Sequence, residues 1–184
     1  MTVVELLNSL KALCEDTTKN MILPTAVQNG DKQRVARAPE FYLQRLPKSE
    51  NAKKLAPYSI IQVAHTQHVQ KPGDKPHFFV DVRFVFCVYG EDEQDGAIML
   101  LNFMERIYQR LLKDVAIGRV FLLNVNEPLE MLVYPDDTAP YFAGEMAGTF
   151  MLPPIEREVD WNGLKNQIGN GKTVGHFGSE RSLG

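Results

Sequence analysis

In the stretch HFFVDVRFVFCVYGEDEQDGAIMLL, residues 77–101, an alternating apolar pattern gives way to a helical one. Its first half alternates, and one face carries only apolar side chains, those of Phe78, Val80, Val82, Phe84, Phe86 and Val88. This period of two predicts a strand over 77–89 whose even-numbered face lies on a core. Four acidic residues follow between 91 and 95, and apolar residues then recur at helical spacing. We therefore expect a helix that packs on the sheet, with Asp95 as its N-cap.

The flanking segments extend this unit into an α+β fold. Thr2 and Glu5 have the form of a capping box, which predicts a first amphipathic helix over 3–16. Residues 58–70 form a second strand, which the turn KPGDKP joins to 77–89 as a hairpin. RVFLLNV, LEMLVYP and YFAGEMAGTFML are further strand candidates. This order predicts a mainly antiparallel sheet with two helices packed on one face.

Two segments are predicted to lie outside the regular elements. Prolines recur between residues 19 and 57, which predicts a long loop after the first helix. The last residues, 159–184, are rich in glycine and polar side chains, which is typical of an extended or mobile tail. A chain of 184 residues suits one domain, and we expect it to span 1–158.

Composition narrows the classes of partner. The net charge of -3 is too small and too mixed to favour nucleic acid or an anionic membrane as the main partner. Cys14 and Cys87 each lie in an apolar pattern, which indicates buried thiols in a reducing compartment. The first residues lack the basic and apolar regions of a signal peptide, so we expect a cytoplasmic protein.

Candidate catalytic and metal-binding residues are few. A hairpin centred between residues 72 and 73 would place His68 opposite His77, and with Asp81 these could serve a small metal-dependent enzyme. His65 would face the other side of its strand from His68. The segment GNGKT, 169–173, lacks the first glycine of a phosphate-binding loop, because position 166 is Asn166. We expect ordinary turn histidines, no catalytic residue, no metal and no cofactor.

Opposite charges are concentrated in two segments. Residues 31–54 hold seven basic and three acidic side chains, a net charge of +4, whereas 91–95 holds four acidic side chains and no basic one. Either both segments are simply solvated, or they are complementary patches through which one subunit meets the next. The residues predicted to make contacts with other subunits or partners are Arg34, Arg37, Arg45, Asp81, Arg83, Glu91, Asp92 and Asp95.

The odd-numbered face of the strand 77–89 is only half polar. Asp81 and Arg83 share it with Val85, Cys87 and Tyr89. Such a face is expected to be covered, either by another part of the chain or by a neighbouring chain. Asp81 and Arg83 are neighbours on this face, and they are either a solvent-side ion pair or a subunit contact.

Several segments, taken in order, carry a family resemblance. They are the amino-terminal helix, EFYLQRLP ahead of PYSIIQV, the stretch FFVDVRFVFCVYGEDEQDGAIMLLNFMERIYQRLL, and PYFAGEMAGTFMLPPIE. Over about residues 1–158 they resemble the tail terminator, or tail completion, proteins of long-tailed bacteriophages. Members of that family share four features in the same order: a proline-led strand, a hairpin, an acidic Asp-Gly start of a helix, and a last strand that ends near proline.

The resemblance implies a structural virion protein. Such a protein assembles as a ring, typically of six copies, at the head-proximal end of the tail tube, where it stops tube growth and provides a docking surface for the head and neck. Its partners would be further copies of itself, the tube protein and connector proteins, and DNA would only pass through the lumen. The alternatives are a head-tail connector protein or, from another class, the small metal-dependent enzyme.

Overall fold

The computed structural model describes residues 2–30, 34–48, 55–70, 75–135 and 139–153. Its helices are α1 (Val3–Thr18) and α2 (Glu93–Lys113). Its strands are β1 (Leu23–Gln28), β2 (Arg34–Arg37), β3 (Glu40–Leu43), β4 (Tyr58–Val69), β5 (His77–Tyr89), β6 (Ala116–Ile117), β7 (Phe121–Leu123), β8 (Glu130–Val133) and β9 (Tyr141–Leu152). The predicted α+β class is confirmed. The predicted tail over 159–184 lies outside the described residues.

A seven-stranded sheet forms the frame, in the order β3-β4-β5-β9-β7-β6, with β8 beside the first half of β9. All its pairings are antiparallel except that of β3 with β4. The strands β1 and β2 form a separate antiparallel hairpin. β5 is the central strand, because it pairs along nearly its whole length with β4 on one side and β9 on the other.

The core lies between the even-numbered face of β5 and the two helices, as the alternation predicts. Phe84 and Phe86 of β5 are fully buried, and the ring of Phe86 meets Phe103 of α2 edge to face at 5.0 Å between centroids. Leu6 and Leu10 of α1 are in the same apolar cluster. Fully burying each such side chain contributes about 1.5–3 kcal/mol, so this layer holds both helices on one face of the sheet.

Residues 19–57, predicted as a loop, contain three short strands. β1 and β2 pair with each other, and β3 runs parallel to β4, with Phe41 beside Ser59. The prediction was wrong here because each strand has at most six residues, and prolines lie within β1 and on both sides of β2 and β3. A strand this short is stabilised by its pairing partner rather than by its own pattern.

The β4–β5 register differs from the predicted one. Val63 lies opposite Val82, but His65 lies opposite Asp81, so Ala64 is an extra residue in a β-bulge. Beyond the bulge every partner shifts by one position, and His68 pairs with Phe78 rather than with His77. The predicted cross-strand histidine pair is therefore wrong.

Gly96, in the first turn of α2, fixes how closely that helix approaches the sheet. It is buried, and a Cβ atom there would overlap the ring of Phe142 of β9. Gly96 also faces Gly90, where a Cβ atom would lie 2.8 Å from the Gly96 Cα. Only hydrogen at these positions allows the two backbones and the ring to meet.

We predict that Gly96→Ala destabilises the protein, although alanine is normally favoured over glycine in a helix by about 1 kcal/mol. Overpacking against Phe142 costs about 1–3 kcal/mol, which outweighs that gain. Urea unfolding followed by circular dichroism measures the difference. Gly30→Ala is the control, because no atom lies within 4 Å of the added methyl group. A Gly96→Ala protein more stable than the wild type would contradict this packing.

Candidate interaction surface

Among the described residues, the chain covers the odd-numbered face of β5 at one end only. There Cys87 and Tyr89 are buried in a small cluster with Ala56, and Ala26 of β1 packs against it. Cys14 and Cys87 are both buried thiols that form no disulfide with each other, as predicted. The β1–β2 hairpin therefore acts as the intramolecular cover that was one of the two expected possibilities, but it does not reach the other end of the face.

Arg34 of β2 holds this hairpin in place. Its guanidinium group lies 4.6 Å from the centre of the Tyr89 ring and forms an ion pair with Glu91, just before α2. Tyr89 donates a second hydrogen bond to Glu91, at 3.3 Å. Arg34 and Glu91 were both predicted to contact other subunits, and the structure brings them together within one chain.

The same contacts shift the titration of the groups involved. The hydrogen bond between Arg34 and Glu91 is the main cause that raises the pKa of Arg34 and lowers the pKa of Glu91. Burial is the main cause that raises the pKa of Tyr89. The pair is thus stabilised in its doubly charged form, which favours the docked hairpin above the ordinary pKa of a carboxylate.

Arg37 closes the other end of β2. It forms an ion pair with Glu40 and donates a hydrogen bond of 2.6 Å to the carbonyl oxygen of Leu55. Glu40 also accepts a hydrogen bond from Tyr42, and burial, followed by this bond, raises the pKa of Tyr42 to about 12. Arg37 therefore ties the hairpin to the segment that precedes β4.

The uncovered part of the odd-numbered face carries a polar network. Arg83 forms an ion pair with Glu145 of β9 and donates a hydrogen bond of 3.0 Å to the hydroxyl oxygen of Tyr134. Tyr134 in turn donates to Glu145 at 2.9 Å. The bond to Glu145 is the main cause that raises the pKa of Arg83. The predicted pair of Asp81 with Arg83 is not the contact that the structure shows, because each bonds to β9 across the sheet.

Asp81 has its own partners on this face. Thr149 of β9 donates a hydrogen bond of 2.7 Å to Asp81, and His65 of β4 lies 3.4 Å from its other carboxylate oxygen. Two adjacent pockets of about 270 and 220 Å³ open beside it, and both are lined by Asp81, Glu127 and Thr149. We call this uncovered region, with Asp81, Arg83, Glu127, Glu130, Glu145 and Thr149, the open face.

The open face is acidic and shallow. Its four carboxylates, those of Asp81, Glu127, Glu130 and Glu145, outnumber its one guanidinium group, that of Arg83. Carboxylates accept hydrogen bonds and attract cations, so the surface suits the donors of another protein chain. Among the described residues no group of three or more His, Cys, Asp or Glu side chains is arranged to hold a metal ion.

The acidic residues before α2 have distinct roles. Asp92 is the N-cap, and its side chain accepts hydrogen bonds from the backbone N–H groups of Gln94 and Asp95, each at 2.9 Å. The prediction of Asp95 as the cap was wrong, because Asp92, three residues earlier, has the same cap propensity and begins the helix one turn sooner. Asp95 lies exposed in the first turn, and Arg45 lies exposed after β3.

Residues that the sequence analysis missed lie mainly on β9 and around β8. Glu145 and Thr149 alternate with buried residues of β9, so the period of two could have placed them on the outer face. Their partners on β5 lie 62 and 68 positions away in sequence. Only the strand register reveals those pairings. Tyr134 and Glu127 were missed because they lie outside the strands and follow no periodic pattern.

Comparison with known proteins adds no family: no family model matches the chain, and no curated protein matches it. Over the described ranges, neither helix has the length and apolar character that crossing a bilayer requires.

We predict that Asp92→Ala lowers the free energy of unfolding by about 1 kcal/mol, the usual cost of losing an N-cap. Asp95→Ala is the matched control, since it removes a carboxylate from the same turn without removing the cap. Chemical denaturation of the two variants measures both effects. Equal losses would mean that helix-dipole charge, rather than the cap, is the stabilising contribution.

We predict that docking of the hairpin depends on the charge of Glu91. Because the folded-state pKa of Glu91 lies below its ordinary value of 4.5, its contribution is present above that value and is lost as the pH falls through the folded-state pKa. Amide exchange in 23–28 and 34–37 should therefore be slower in the wild type than in Glu91→Gln near neutral pH.

That difference should disappear in acid, where Glu91 is protonated in the wild type as well. Glu15→Gln is the control, because it alters an exposed ion pair on α1 with Lys11. A difference between the wild type and Glu91→Gln that persists unchanged in acid would show that the carboxylate charge does not hold the hairpin.

Proposed function

We propose that this chain is a structural virion protein that forms a ring at the head-proximal end of a phage tail tube. There it ends tube polymerisation and provides the surface on which the head and neck dock. Its partners are further copies of itself, the tube protein and the connector, with DNA passing through the lumen. The protein is assembled in the host cytoplasm and ends in the virion.

One observation supports this function most directly: the sheet has a helical side and an open side. Both helices pack on the even-numbered face, while the opposite face exposes polar and charged side chains beyond the β1–β2 hairpin. Three pockets of about 270, 220 and 430 Å³ lie on this face, and all three are open and lined by carboxylates, with Met131 and Leu132 also lining the third. Small-molecule sites are usually more enclosed and mostly apolar. A broad, half-polar sheet surface is suited to contact with another chain.

The ordered resemblance of the segments supports the same function. EFYLQRLP contains β3, PYSIIQV covers the first half of β4, and the long stretch from FFVDV covers all of β5 but its first residue and all of α2 but its last residue. The elements in which the resemblance resides are thus the ones that build the frame. The metal-dependent enzyme loses its main support, because His68 and His77 are not cross-strand partners.

The predicted contact residues divide into two groups under this proposal. Arg34, Arg37, Glu91 and Asp92 shape the subunit, because each is engaged within the chain. Arg45, Asp95 and the open face with Asp81 and Arg83 are exposed or half-exposed and are the surfaces proposed to meet other subunits or the tube.

The test is a tube-polymerisation experiment. Tube protein encoded in the same genome is polymerised with and without this chain, and tube lengths are measured by electron microscopy. We expect tubes that stop growing and carry a closed ring at one end. The double variant Arg45→Glu with Asp95→Lys should fold normally and cap fewer tubes.

Glu15→Lys, a charge reversal on the exposed side of α1, is the matched control and should cap like the wild type. Tubes of equal length with and without the wild-type chain would contradict the proposal. Rings that bind isolated connector protein but ignore tube ends would instead indicate the head-tail connector.

A further inference from the structure

Two margins of the seven-stranded sheet lack a strand neighbour among the described residues. On one side β3 pairs with β4 only over Tyr58–Ile61, so the outer half of β4, residues 62–69, has no described strand beyond it. Residues 64–68 are all exposed. On the other side β8 pairs with β9 alone.

Open margins of this kind present backbone N–H and C=O groups that can pair with another chain. Natural edge strands are commonly protected by lysine, proline or charged side chains. The outer half of β4, QVAHTQHV, has none of these, and its one protective feature is the bulge at Ala64. β8 has one charged residue, Glu130. Its Leu132 is 54% exposed and its Val133 is 38% exposed. Exposed apolar side chains on a strand edge favour pairing.

The directions of the strands select the partner. β4, β5, β9 and β8 are successive neighbours, each antiparallel to the next. β4 and β8 therefore run in opposite directions at opposite margins. A second copy in the same orientation would bring its β4 beside β8 of the first copy as an antiparallel neighbour, which is the pairing used inside the sheet.

We propose that copies of this chain join edge to edge, with β8 of one subunit pairing with the outer half of β4 of the next. This inference rests on the proposed ring and names the surfaces that build it. The contact uses two different patches, so it is head-to-tail and continues from copy to copy until rotation closes it. Each subunit would extend the sheet of its neighbour through main-chain hydrogen bonds.

The two edges lie at different heights on the sheet. Gln67 of β4 pairs with Phe79 of β5. Leu132 of β8 pairs with Glu145 of β9, which in turn pairs with Val85 of β5, six residues after Phe79. Joining the edges thus staggers each copy against the last. In a closed sheet such a stagger tilts the strands relative to the axis, as in β-barrels.

The competing arrangement is a symmetric one, in which β4 pairs with β4 of a second copy. That pairing is also antiparallel, but it uses the same edge of both copies. No β4 edge is then left for a third copy, so the assembly is a dimer. Covalent linkage between chosen positions separates the two arrangements, because only the head-to-tail contact links β4 to β8.

The experiment uses the full-length double variant Gln67→Cys with Leu132→Cys, oxidised alone at high concentration and in the presence of tail tubes. Both positions lie on the open side of the sheet, so their Cβ atoms can approach across the proposed contact. The native Cys14 and Cys87 are buried and are present in every variant. The pair His65→Cys with Leu132→Cys tests the neighbouring register, two residues away, and replaces the first pair if that one fails to fold.

We expect disulfide-linked species longer than dimers on non-reducing gels, ending in a closed multimer, and none from either single variant. Dimers from Gln67→Cys alone would overturn the inference in favour of the symmetric contact. If the wild type caps tubes but neither double variant cross-links, the edge contact is wrong and the proposed function stands. If the wild type ignores tubes, the proposed function fails, and cross-linking of the double variants alone still decides the edge contact.

Discussion

The fold depends on one constraint: the even-numbered face of β5 is entirely apolar along a strand that is paired on both sides. Such a face must be covered, and both helices cover it, with Phe86 and Phe103 in edge-to-face contact at 5.0 Å. Because the helices occupy that side, the β1–β2 hairpin lies on the opposite side, where it covers one end of β5. The position of the open face is therefore a consequence of how the core is built.

Sequence patterns predicted the parts that depend on local periodicity. The β4–β5 hairpin, α1, α2 and the strand 141–152 follow from alternation or from helical spacing. The bulge at Ala64 could not be predicted, because alanine carries no bulge signal and the shift shows only in the pairing with β5. The N-cap at Asp92 was missed because Asp92 and Asp95, three residues apart, are equally suitable N-caps by residue type. The short strands β1, β2 and β3 are stabilised by pairing with other strands, so their own sequences do not predict them.

The candidate contact residues were predicted from the distribution of charge, and the structure shows that several of them contact each other within the chain. Arg34 and Glu91, 57 positions apart, were proposed as complementary patches between subunits, but they form an ion pair within the chain that holds the hairpin over Tyr89. The opposite charges of these two residues are visible in the sequence, but only the folded structure shows that they pair within one chain. What the fold leaves exposed is the acidic open face and two strand margins, and these are the features from which a repeating assembly can be built.

We propose that copies of this chain form a ring at one end of a tube. Single-molecule photobleaching tests it most directly, with one fluorophore attached to each chain and the tubes imaged after assembly. The account predicts fluorescence at one end of each tube only, with the same small number of bleaching steps on every tube. Label spread along the tubes, or step counts that vary from tube to tube without a preferred number, would contradict it.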